Sequence, residues 1–549
     1  MNHKVLRVHE KDNVLVALQD LPKGAEINFN SKVIILQNDI GAKHKFFMQD
    51  MQTNDEMIMY GVLVGKAQEF IPSGGLMTTT NTRHAADPFI FRPFNYEWHA
   101  PDVTKFANST FNGYHRSDGR VGTANYWLFI PTVFCENRNL DVIREALHNE
   151  LGYAVADKYK QYTHQLLDAF QQGEDISTVD ISQLQSDFTN RANRPFKNVN
   201  GIKFLNHQGG CGGTRQDAAV LSKLLAAYAA HPNVGGVTVL SLGCQNLQVQ
   251  DFVNDLKQQY PGFDKPLYIF EQQQSQSEEQ LLAEAIRTTF KGLIEINREE
   301  RKPASLDKLC IGVKCGGSDG FSGISANPAV GYCSDLVVSL GGQILLAEFP
   351  ELCGAEQNLI DRTINEDAAK KFIHLMTAYN AAALKVGSGF HMNPSPGNIK
   401  DGLITDAIKS AGAAKKGGSA PVMDVLDYTE QATKPGLNLV CTPGNDVEAT
   451  TGKAASGATL ILFTTGLGTP TGNPVCPTIK VATNSKLAKR MRDIIDIDCG
   501  PIIEGTKTVE EMGEEILEYC IRAASGEEIP KAVLLNQDDF IPWKRGVSL

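Results

Sequence analysis

Apolar and polar residues alternate in short runs from residue 4 to about residue 80, and turn signals such as Leu21-Pro-Lys-Gly24 separate these runs. Many short strands between glycine- and proline-containing turns are typical of a small, mostly β, barrel-like module. The predicted strands are Val5–Val8, Val14–Leu18, Lys32–Leu36, Met57–Tyr60 and Leu76–Thr79. We assign residues 1–95 to this module and residues 96–112, which show no helical period, to a linker.

Further along the chain, the pattern changes to an apolar run, then a polar loop rich in Gly, Cys and Asn, then an amphipathic helix. The predicted strands are Tyr126–Ile130, Gly201–Leu205 and Val237–Leu240, and the predicted helices include Leu140–Glu150 and Asp217–Ala230. Repeated strand–loop–helix units predict a parallel sheet in an α/β fold. We assign residues 113–299 to this domain. A polar surface insertion at about residues 151–200, helical over Ala154–Phe170, is expected to carry no chemistry.

A second α/β domain is predicted at residues 300–549. Its predicted strands are apolar runs, and most of them end in loops of Gly, Ser, Thr and Asn: Leu309–Val313, Leu336–Leu340, Ile344–Ala347, Leu437–Val440 and Thr459–Phe463. Met512, Ile516 and Tyr519 indicate one late helix. In open α/β sheets, ligands bind where the strands end at their carboxyl edge. We therefore expect the functional site at these loops.

The glycine-rich loop Cys315–Gly323, CGGSDGFSG, follows the first of these strands. Glycine permits positive φ and leaves backbone N–H groups unpaired, and successive free N–H groups form a concave anion site. A plain surface turn has the same composition. The similar loops at the other strand ends favour the anion site, as one wall of a shared pocket.

The composition excludes several function classes. The net charge is −11 and no long basic run occurs, so we expect no nucleic-acid partner. The first residues lack the apolar segment of a secretory signal, and no stretch has the roughly 18 uninterrupted apolar residues of a membrane span. The 11 cysteines do not form a disulfide pattern. We expect a cytoplasmic multidomain protein with reduced thiols and no membrane association.

Short motifs exclude further classes of site. The sequence has no zinc-type CxxC pair, no GxxxxGK[ST] phosphate loop, no GxGxxG after a strand and no GxSxG elbow. What remains is a set of Cys, His, Glu and Asn residues in polar loops at predicted strand ends, which suits a small molecule with many hydroxyl groups and a carboxylate. His207, four residues before Cys211, either binds a metal ion or relays protons, or it is a hydrogen-bonded loop histidine. Each cysteine alone is equally explained as a buried apolar residue.

Longer motifs resemble the altronate/galactarate dehydratase family. In chain order they are HQGGC, LGCQN, CGGSDGFSGISANPAVG, NPSPGN, TPGND, TTGLGTPTGNP and WKRGVSL. The N-terminal GAKHK and Asn81-Thr-Arg83 are similar to the antifreeze-like (SAF) domain that opens those proteins. Glu348–Gln357 and Pro443–Asp446 are similar to the versions in altronate members. Gly209, Leu467 and Thr78–Thr80 depart from the family pattern, and at Leu467 the departure removes an arginine that could clamp a carboxylate.

The resemblance implies removal of water from a sugar acid, D-altronate to 2-dehydro-3-deoxy-D-gluconate, in hexuronate catabolism. It also implies a divalent metal ion, Fe²⁺ first and Mn²⁺ second, that stabilises the enediolate, and a cysteine ligand would favour iron. We also expect a homo-oligomer. The predicted catalytic residues are His207, Cys211 and His44. The predicted substrate ligands are Ser318, Asp319, Asn398, Asn445, Asp446 and Asn81. The predicted metal ligands are His44, His207, Cys135, Cys211, Cys244 and Cys315.

Alternative functions stay open from the sequence. Within the family, the reaction could instead be galactarate dehydration or a sulfolactate-type elimination of sulfite. Cysteines at three or four strand ends could also carry an iron–sulfur cluster. A non-catalytic protein that binds a sugar acid is a further alternative, although a binding protein would need only hydrogen-bond donors at these loops.

Overall fold

The structure is a computed structural model, and its backbone divides into two compact units. It describes residues 4–30, 32–86, 89–91, 95–155, 158–180 and 194–548. Unit 1 comprises Met1–Thr123, Arg301–Ala532 and Asp539–Trp543, and unit 2 comprises Ala124–Glu300, Val533–Asp538 and Lys544–Leu549. None of the described helices is long and apolar enough to cross a membrane. The predicted domain boundaries stay predictions.

The N-terminal part of unit 1 consists of short, mostly antiparallel strands. These are β1 (Val5–Leu6), β2 (Val14–Ala17), β3 (Glu26–Phe29), β4 (Lys32–Ile35), β5 (Lys45–Phe47), β6 (Glu56–Met59), β7 (Val62–Ala67), β8 (Thr82–Arg83), β9 (Thr110–His115) and β10 (Val121–Gly122). The predicted strand Leu76–Thr79 is wrong, because only Leu76 forms a bridge, to Phe46, before a turn held by the Asn81 side chain. Strands β3, β5, β7, β8, β9 and β10 were not among the predicted strands. Strand β5 contains the buried Lys45, which breaks the expected apolar pattern.

Unit 2 is built on a parallel sheet with the strand order β12-β11-β13-β14. Its strands are β11 (Tyr126–Pro131), β12 (Gly201–Phe204), β13 (Val234–Ser241) and β14 (Leu267–Glu271). Its helices are α1 (Asn137–Leu151), α2 (Lys158–Gln172), α3 (Arg215–Ala230), α4 (Val249–Gln259) and α5 (Glu278–Ile296). Much of the predicted insertion is α2, with one buried residue, and residues 181–193 lie outside the described residues.

The larger part of unit 1 is a seven-stranded parallel sheet with the order β18-β19-β17-β16-β20-β21-β22. The strands that follow unit 2 in the chain are β15 (Lys302–Ser305), β16 (Cys310–Cys315), β17 (Gln343–Ala347), β18 (Val422–Leu426), β19 (Gly436–Val440), β20 (Leu460–Thr465), β21 (Thr478–Ala482) and β22 (Ile497–Asp498). Strand β15 pairs with β9. The helices are α6 (Ala326–Ser339), α7 (Glu356–Ile360), α8 (Glu366–Lys385), α9 (Pro396–Lys400), α10 (Asp406–Ala414), α11 (Asp446–Ala455), α12 (Ser485–Arg490), α13 (Gly500–Glu504), α14 (Val509–Ser525) and α15 (Lys531–Leu534).

The predicted strand Leu336–Leu340 is wrong, because these residues form the end of helix α6 and the residue that caps it. Leu336 and Val337 are almost fully buried, and α6 packs closely against α14 as well as against the sheet. A helix that is covered on most sides lacks a polar stripe, so its short apolar run cannot be distinguished from a buried strand by periodicity. The predicted fold class is confirmed: a small, mostly β N-terminal module and two α/β parts with parallel sheets.

A shared apolar core fixes the N-terminal module to the seven-stranded part of unit 1. Val14, Val16 and Phe47 of the module belong to the same buried cluster as Phe321 and Ile404. Burial of apolar area is the main contribution that holds such packed elements together. The loop before β5 is thereby fixed beside the chain that follows β16.

The order of strands in unit 1 creates a topological switch point between β16 and β20. The chain leaves β16 toward β17 on one side of the sheet and later returns to β20 on the other side. The loops that leave the carboxyl ends of these two strands therefore diverge, which leaves a crevice in open α/β sheets. This edge of the sheet carries the candidate site.

Candidate active site

Buried lysines, glutamates and a cysteine meet at the carboxyl ends of β16 and β17. We call Lys314, Cys315, Glu348, Glu351, Lys409, Lys416 and Lys453 the lysine–glutamate cluster. All seven side chains belong to buried residues. Lys314 and Cys315 end strand β16, and Glu348 directly follows the neighbouring parallel strand β17. Parallel pairing of these strands therefore places the basic and acidic side chains together.

Glu348 is the centre of the cluster. Its carboxylate forms ion pairs with Lys314 and with Lys416, the latter at 3.1 Å, and Lys453 Nζ lies 3.8 Å away. The backbone of Glu348 has φ 75°, in the left-handed region that residues other than glycine rarely adopt. Such a conformation costs about 1–3 kcal/mol and is concentrated at functional sites. A strained residue with a fully buried carboxylate indicates a functional position.

The ion pairs of the cluster change the protonation equilibria of its members. Burial alone would raise the pKa of Glu351, but Lys409 at 3.1 Å, together with Lys314 and Lys416, lowers it below its usual range. Burial lowers the pKa of Lys453 well below that of a free lysine, and the charges of Lys314 and Lys416 lower it further. Glu351 is therefore ionised at neutral pH, and Lys453 loses its proton more readily than a free lysine does.

A second group of charges lies at the switch point, and we call Lys43, Lys45, Asp319 and Asp401 the lysine–aspartate cluster. Lys43 Nζ lies 3.0 Å from Asp319 and 3.1 Å from Asp401, and Lys45 Nζ donates to the backbone oxygen of Gly402 at 2.7 Å. Asp319 is fully buried and also accepts hydrogen bonds from Ser322 and Thr483. The N-terminal module thus contributes two lysines to this edge of the sheet.

Lys45 is the group in this cluster whose proton affinity is best suited to proton transfer. Burial lowers the pKa of Lys45 to about 7, although the charge of Asp319 partly opposes this effect. A lysine that is half deprotonated near neutral pH can act as a general base. By contrast, Asp319 and Asp401 overcome the effect of burial on Lys43 and raise its pKa. Lys43 therefore keeps its charge.

Glycines allow the loops between the two clusters to approach each other. Gly316 N donates to Thr464 O, and Gly466 N donates to Gly317 O, both at 3.0 Å. A Cβ atom at Gly316 would overlap Asp446, and a Cβ atom at Gly466 would overlap Asp319. Asp446 in turn lies 2.8 Å from Lys314 Nζ. These two loops therefore connect the lysine–glutamate and lysine–aspartate clusters.

Gly466→Ala should lower turnover at least tenfold, because the added methyl group displaces the Asp319 carboxylate from Lys43. Overpacking of this kind costs about 1–3 kcal/mol, so the chain should still fold. Gly397→Ala is the matched control, since the nearest atom to its Cβ is 3.8 Å away. Steady-state kinetics and thermal unfolding of both variants check this prediction, and equal turnover of the two variants would contradict it.

The structure brings several of the predicted substrate ligands to this edge of unit 1. Ser318 and Asp319 lie in the loop after β16, and Asn398 Nδ2 holds that loop by donating to Ser318 O at 2.9 Å. Asn445 caps helix α11 through its side chain, and Asn81 ties the turn before β8. The structure therefore gives Asn398, Asn445 and Asn81 hydrogen bonds that fix loops. Their roles as substrate ligands stay predictions.

The two predicted histidines also have backbone partners. His44 Nε2 lies 3.1 Å from Lys400 O, and burial, followed by the charge of Lys45, lowers the pKa of His44. His207 Nε2 lies 2.8 Å from Pro131 O, while its Nδ1 accepts from Gly209 N at 3.0 Å. Burial lowers the pKa of His207 to about 4, so its ring is neutral at pH 7. These hydrogen bonds hold the loop at His207 in place. The roles of His207 as base and as metal ligand stay predictions.

The predicted metal ligands are divided between the two units. Cys315 lies in unit 1, whereas Cys135, His207, Cys211 and Cys244 lie in unit 2. Among the described residues, Cys315, Glu348 and Glu351 form the one group of three or more His, Cys, Asp or Glu residues whose ligand atoms lie within 4.8 Å of one another. A soft sulfur with two carboxylates is a reasonable donor set for Fe²⁺.

The surroundings of these three atoms do not fit a divalent cation. Lys416 Nζ lies 3.1 Å from Glu348 Oε2 and 3.2 Å from Cys315 Sγ, and Lys409 Nζ lies 3.1 Å from Glu351 Oε1. Each candidate ligand therefore already faces an ammonium group, and a bound divalent cation would lie close to these like charges in a low-dielectric interior. Metal dependence stays a prediction, and we derive no step of the reaction through a metal ion at this cluster.

Sequence reasoning did not identify the buried lysines. Lys314 ends an apolar run and Lys45 precedes two phenylalanines, whereas Lys416 follows Lys415 in a 3₁₀-helix and Lys453 lies in the second half of helix α11. Lysine is rarely buried without a partner, so the apolar neighbours of Lys314 and Lys45 are a signal that could have marked these two positions, whereas Lys416 and Lys453 have no such signal.

Together, the two clusters offer an anionic substrate both charge stabilisation and proton transfer. Lys314, Lys409 and Lys416 supply fixed ammonium groups beside the carboxylates of Glu348, Glu351 and Asp446. Fixed ammonium groups in a buried site stabilise negative charge that develops during a reaction. The amine of Lys45 can remove a proton from a carbon atom. The site is therefore suited to a reaction that passes through an enediolate.

Three family models match consecutive parts of the chain. Residues 3–85 match the altronate/galactarate dehydratase SAF domain, and residues 113–297 match the second domain of D-galactarate dehydratase/altronate hydrolase. Residues 306–548 match the C-terminal domain of D-galactarate/altronate dehydratase. The last of these models covers both the seven-stranded sheet and the lysine–glutamate cluster.

Curated relatives match the chain over almost its whole length. Altronate dehydratase of Bacillus subtilis (strain 168) is 34% identical over 99% of both chains, and altronate dehydratase of Escherichia coli (strain K12) is 32% identical over 99% of both. Galactarate dehydratase (L-threo-forming) of Escherichia coli (strain K12) is 30% identical over 95% of this chain and 93% of the relative. The similarity therefore includes every part of both units.

Proposed function

Because this chain belongs to the altronate/galactarate dehydratase family and is a hydro-lyase that acts on a sugar acid, we propose that its substrate is D-altronate and its product 2-dehydro-3-deoxy-D-gluconate. The observation that supports this proposal most is the lysine–glutamate cluster, in which Lys314, Lys409 and Lys416 supply fixed ammonium groups at the carboxyl edge of the sheet. A sugar-acid carboxylate would bind beside the fixed ammonium groups of this cluster. The two relatives named altronate dehydratase support the choice of substrate.

The reaction breaks the bond between C2 and its hydrogen and the bond between C3 and its hydroxyl oxygen. The C2 hydrogen is only weakly acidic, so its removal needs a base and a stabilised enediolate. We assign the base to Lys45, whose pKa is about 7. We assign the stabilisation of the enediolate to Lys314 and Lys416. The proton taken by Lys45 can leave with the C3 hydroxyl group as water, and the resulting enol becomes the 2-keto acid when C3 takes up a proton.

An assay against a panel of acids tests the substrate. The purified full chain is incubated separately with D-altronate, D-galactarate and (2R)-sulfolactate, and 2-keto-3-deoxy acid and sulfite are both measured. We expect the highest kcat/KM for D-altronate, with a 2-keto-3-deoxy acid as product. Faster turnover of D-galactarate would contradict the assignment to altronate while keeping the dehydration. Release of sulfite without turnover of either sugar acid would contradict the sugar-acid substrate itself.

A further inference from the structure

The exposed cysteines of the chain all lie at one edge of the unit 2 sheet. Cys135 follows β11, Cys211 follows β12 and Cys244 follows β13, and these strands are neighbours in the order β12-β11-β13. The remaining cysteines are buried or half-buried. Free cysteine usually behaves as a small apolar residue and is buried. Three exposed thiols at the carboxyl edge of one parallel sheet therefore indicate a common role.

Backbone hydrogen bonds join the three loops that carry these cysteines. Phe134 N donates to Gly209 O at 3.1 Å, which connects the loop of Cys135 with the loop of Cys211. Asn246 N donates to Gly210 O at 2.9 Å, which connects the loop of Cys244 with the same loop. Since neighbouring strands are about 4.8 Å apart, the ends of three adjacent strands span about 10 Å. The three loops thus form one joined patch rather than three separate turns.

Glycines set the conformation of two of these loops. Gly210 and Gly212 flank Cys211 with φ values of 94° and 69°, and Gly243 precedes Cys244 with a φ of 120°. A Cβ atom at Gly210 would overlap the backbone oxygen of Thr132, so the close approach of the loops requires glycine there. The positive-φ glycines beside Cys211 and Cys244 give these two loops the tight turns with which backbone surrounds a ligand.

Three helices begin just after the cysteines. Helix α1 starts at Asn137, α3 at Arg215 and α4 at Val249, and these helices have 15, 16 and 11 residues. The N-terminus of a helix carries a partial positive charge of about half an elementary charge. Sulfur ligands of an iron–sulfur cluster carry negative charge, which the positive ends of helices at this sheet edge stabilise.

We propose that Cys135, Cys211 and Cys244 ligate an iron–sulfur cluster at the carboxyl edge of the unit 2 sheet. Clusters of this class are held by cysteine thiolates, and three such ligands leave one iron without a protein ligand. A structural zinc site would need a fourth ligand. His207, the histidine nearest in sequence to Cys211, has both ring nitrogens in hydrogen bonds to the backbone. This site is separate in the chain from the lysine–glutamate cluster, so either proposal can fail without the other.

The metal and sulfide content of the full chain tests this proposal. The protein is purified without oxygen and reconstituted with iron and sulfide, and iron, acid-labile sulfide, visible absorption and the Mössbauer spectrum are measured. We expect iron and sulfide in nearly equal amounts and a Mössbauer signature of a cluster. Most of the bound iron and sulfide should be lost in each of the variants Cys135→Ser, Cys211→Ser and Cys244→Ser. The control Cys353→Ser removes a half-buried thiol of unit 1 and should keep the bound iron and sulfide. Circular dichroism checks that each variant folds.

Three results would overturn the proposal. The first is one metal ion per chain without sulfide, which would indicate a mononuclear site. The second is a reconstituted chain that binds no iron and in which all three thiols react freely with an alkylating agent. The third is a cluster that persists in all three serine variants, which would place it on other ligands.

Discussion

Glu348→Gln should abolish most of the turnover of the sugar acid and should also destabilise unit 1. The substitution keeps the shape of the side chain but removes the charge that faces Lys314, Lys416 and Lys453. Removing one partner from a buried ion pair costs about 3–5 kcal/mol, because it leaves a charge without compensation. Lys314 and Lys416 also lose the carboxylate that positions them at the enediolate, and loss of such stabilisation costs about 10²–10³ in kcat. Chemical denaturation and steady-state kinetics measure the two effects.

A double variant separates the loss of stability from the loss of function. Glu348→Gln combined with Lys416→Met removes the uncompensated ammonium group, so it should recover part of the stability but none of the turnover. Asp424→Asn is the matched control, because its pair with the exposed Lys434 is open to solvent on one side and such pairs contribute about 1 kcal/mol. A Glu348→Gln chain with normal turnover would contradict the role of the lysine–glutamate cluster.

Lys45→Met should lower turnover about 10²–10⁴-fold, which is the range for loss of a general base. In the unchanged chain, kcat/KM should fall as the pH decreases through about 7, because the amine of Lys45 becomes protonated and can no longer accept the C2 proton. The residual activity of the variant should lack this limb of the pH profile. The pH dependence of kcat/KM for both proteins checks the prediction.

Two further variants distinguish the base from a charge that only positions the substrate. Lys45→Arg keeps a positive charge but cannot lose its proton at neutral pH, so it should be as inactive as Lys45→Met. Lys66→Met, in the same module, removes a partly exposed lysine that pairs with Glu56 and should leave kcat/KM unchanged. Recovery of activity in Lys45→Arg would show that Lys45 supplies charge rather than a base.

Much of the fold could be predicted from the sequence, because repeated strand–loop–helix units have few arrangements. Four segments predicted as strands are strands of a parallel sheet in the structure, namely those that lead to Cys135, Cys211, Cys244 and Cys315. The failure at Leu336–Leu340 has a physical cause, since a helix that is covered on most sides shows no amphipathic period. Which of the two sheets each strand joins depends on contacts between distant parts of the chain, and the sequence pattern does not contain this information.

The candidate site could be predicted only in part. The glycine-rich loop after β16 lies at the switch point of the sheet, and Asp319 and Asp446 lie at this edge with lysine partners. The buried lysines could not be found by residue type, because a lysine is expected at the surface unless the fold supplies carboxylates for it. Those carboxylates come from other strands and helices, as Glu348 does for Lys416, and become visible only when the chain is folded.

The crystal structure of the Lys45→Met variant with D-altronate tests the central claim most directly. Since this variant should bind the substrate but turn it over slowly, the sugar acid should remain intact in the crystal. We expect its carboxylate within hydrogen-bond distance of Lys314 or Lys416, at the carboxyl ends of β16 and β17. A sugar acid bound away from the lysine–glutamate cluster would contradict the assignment of the active site.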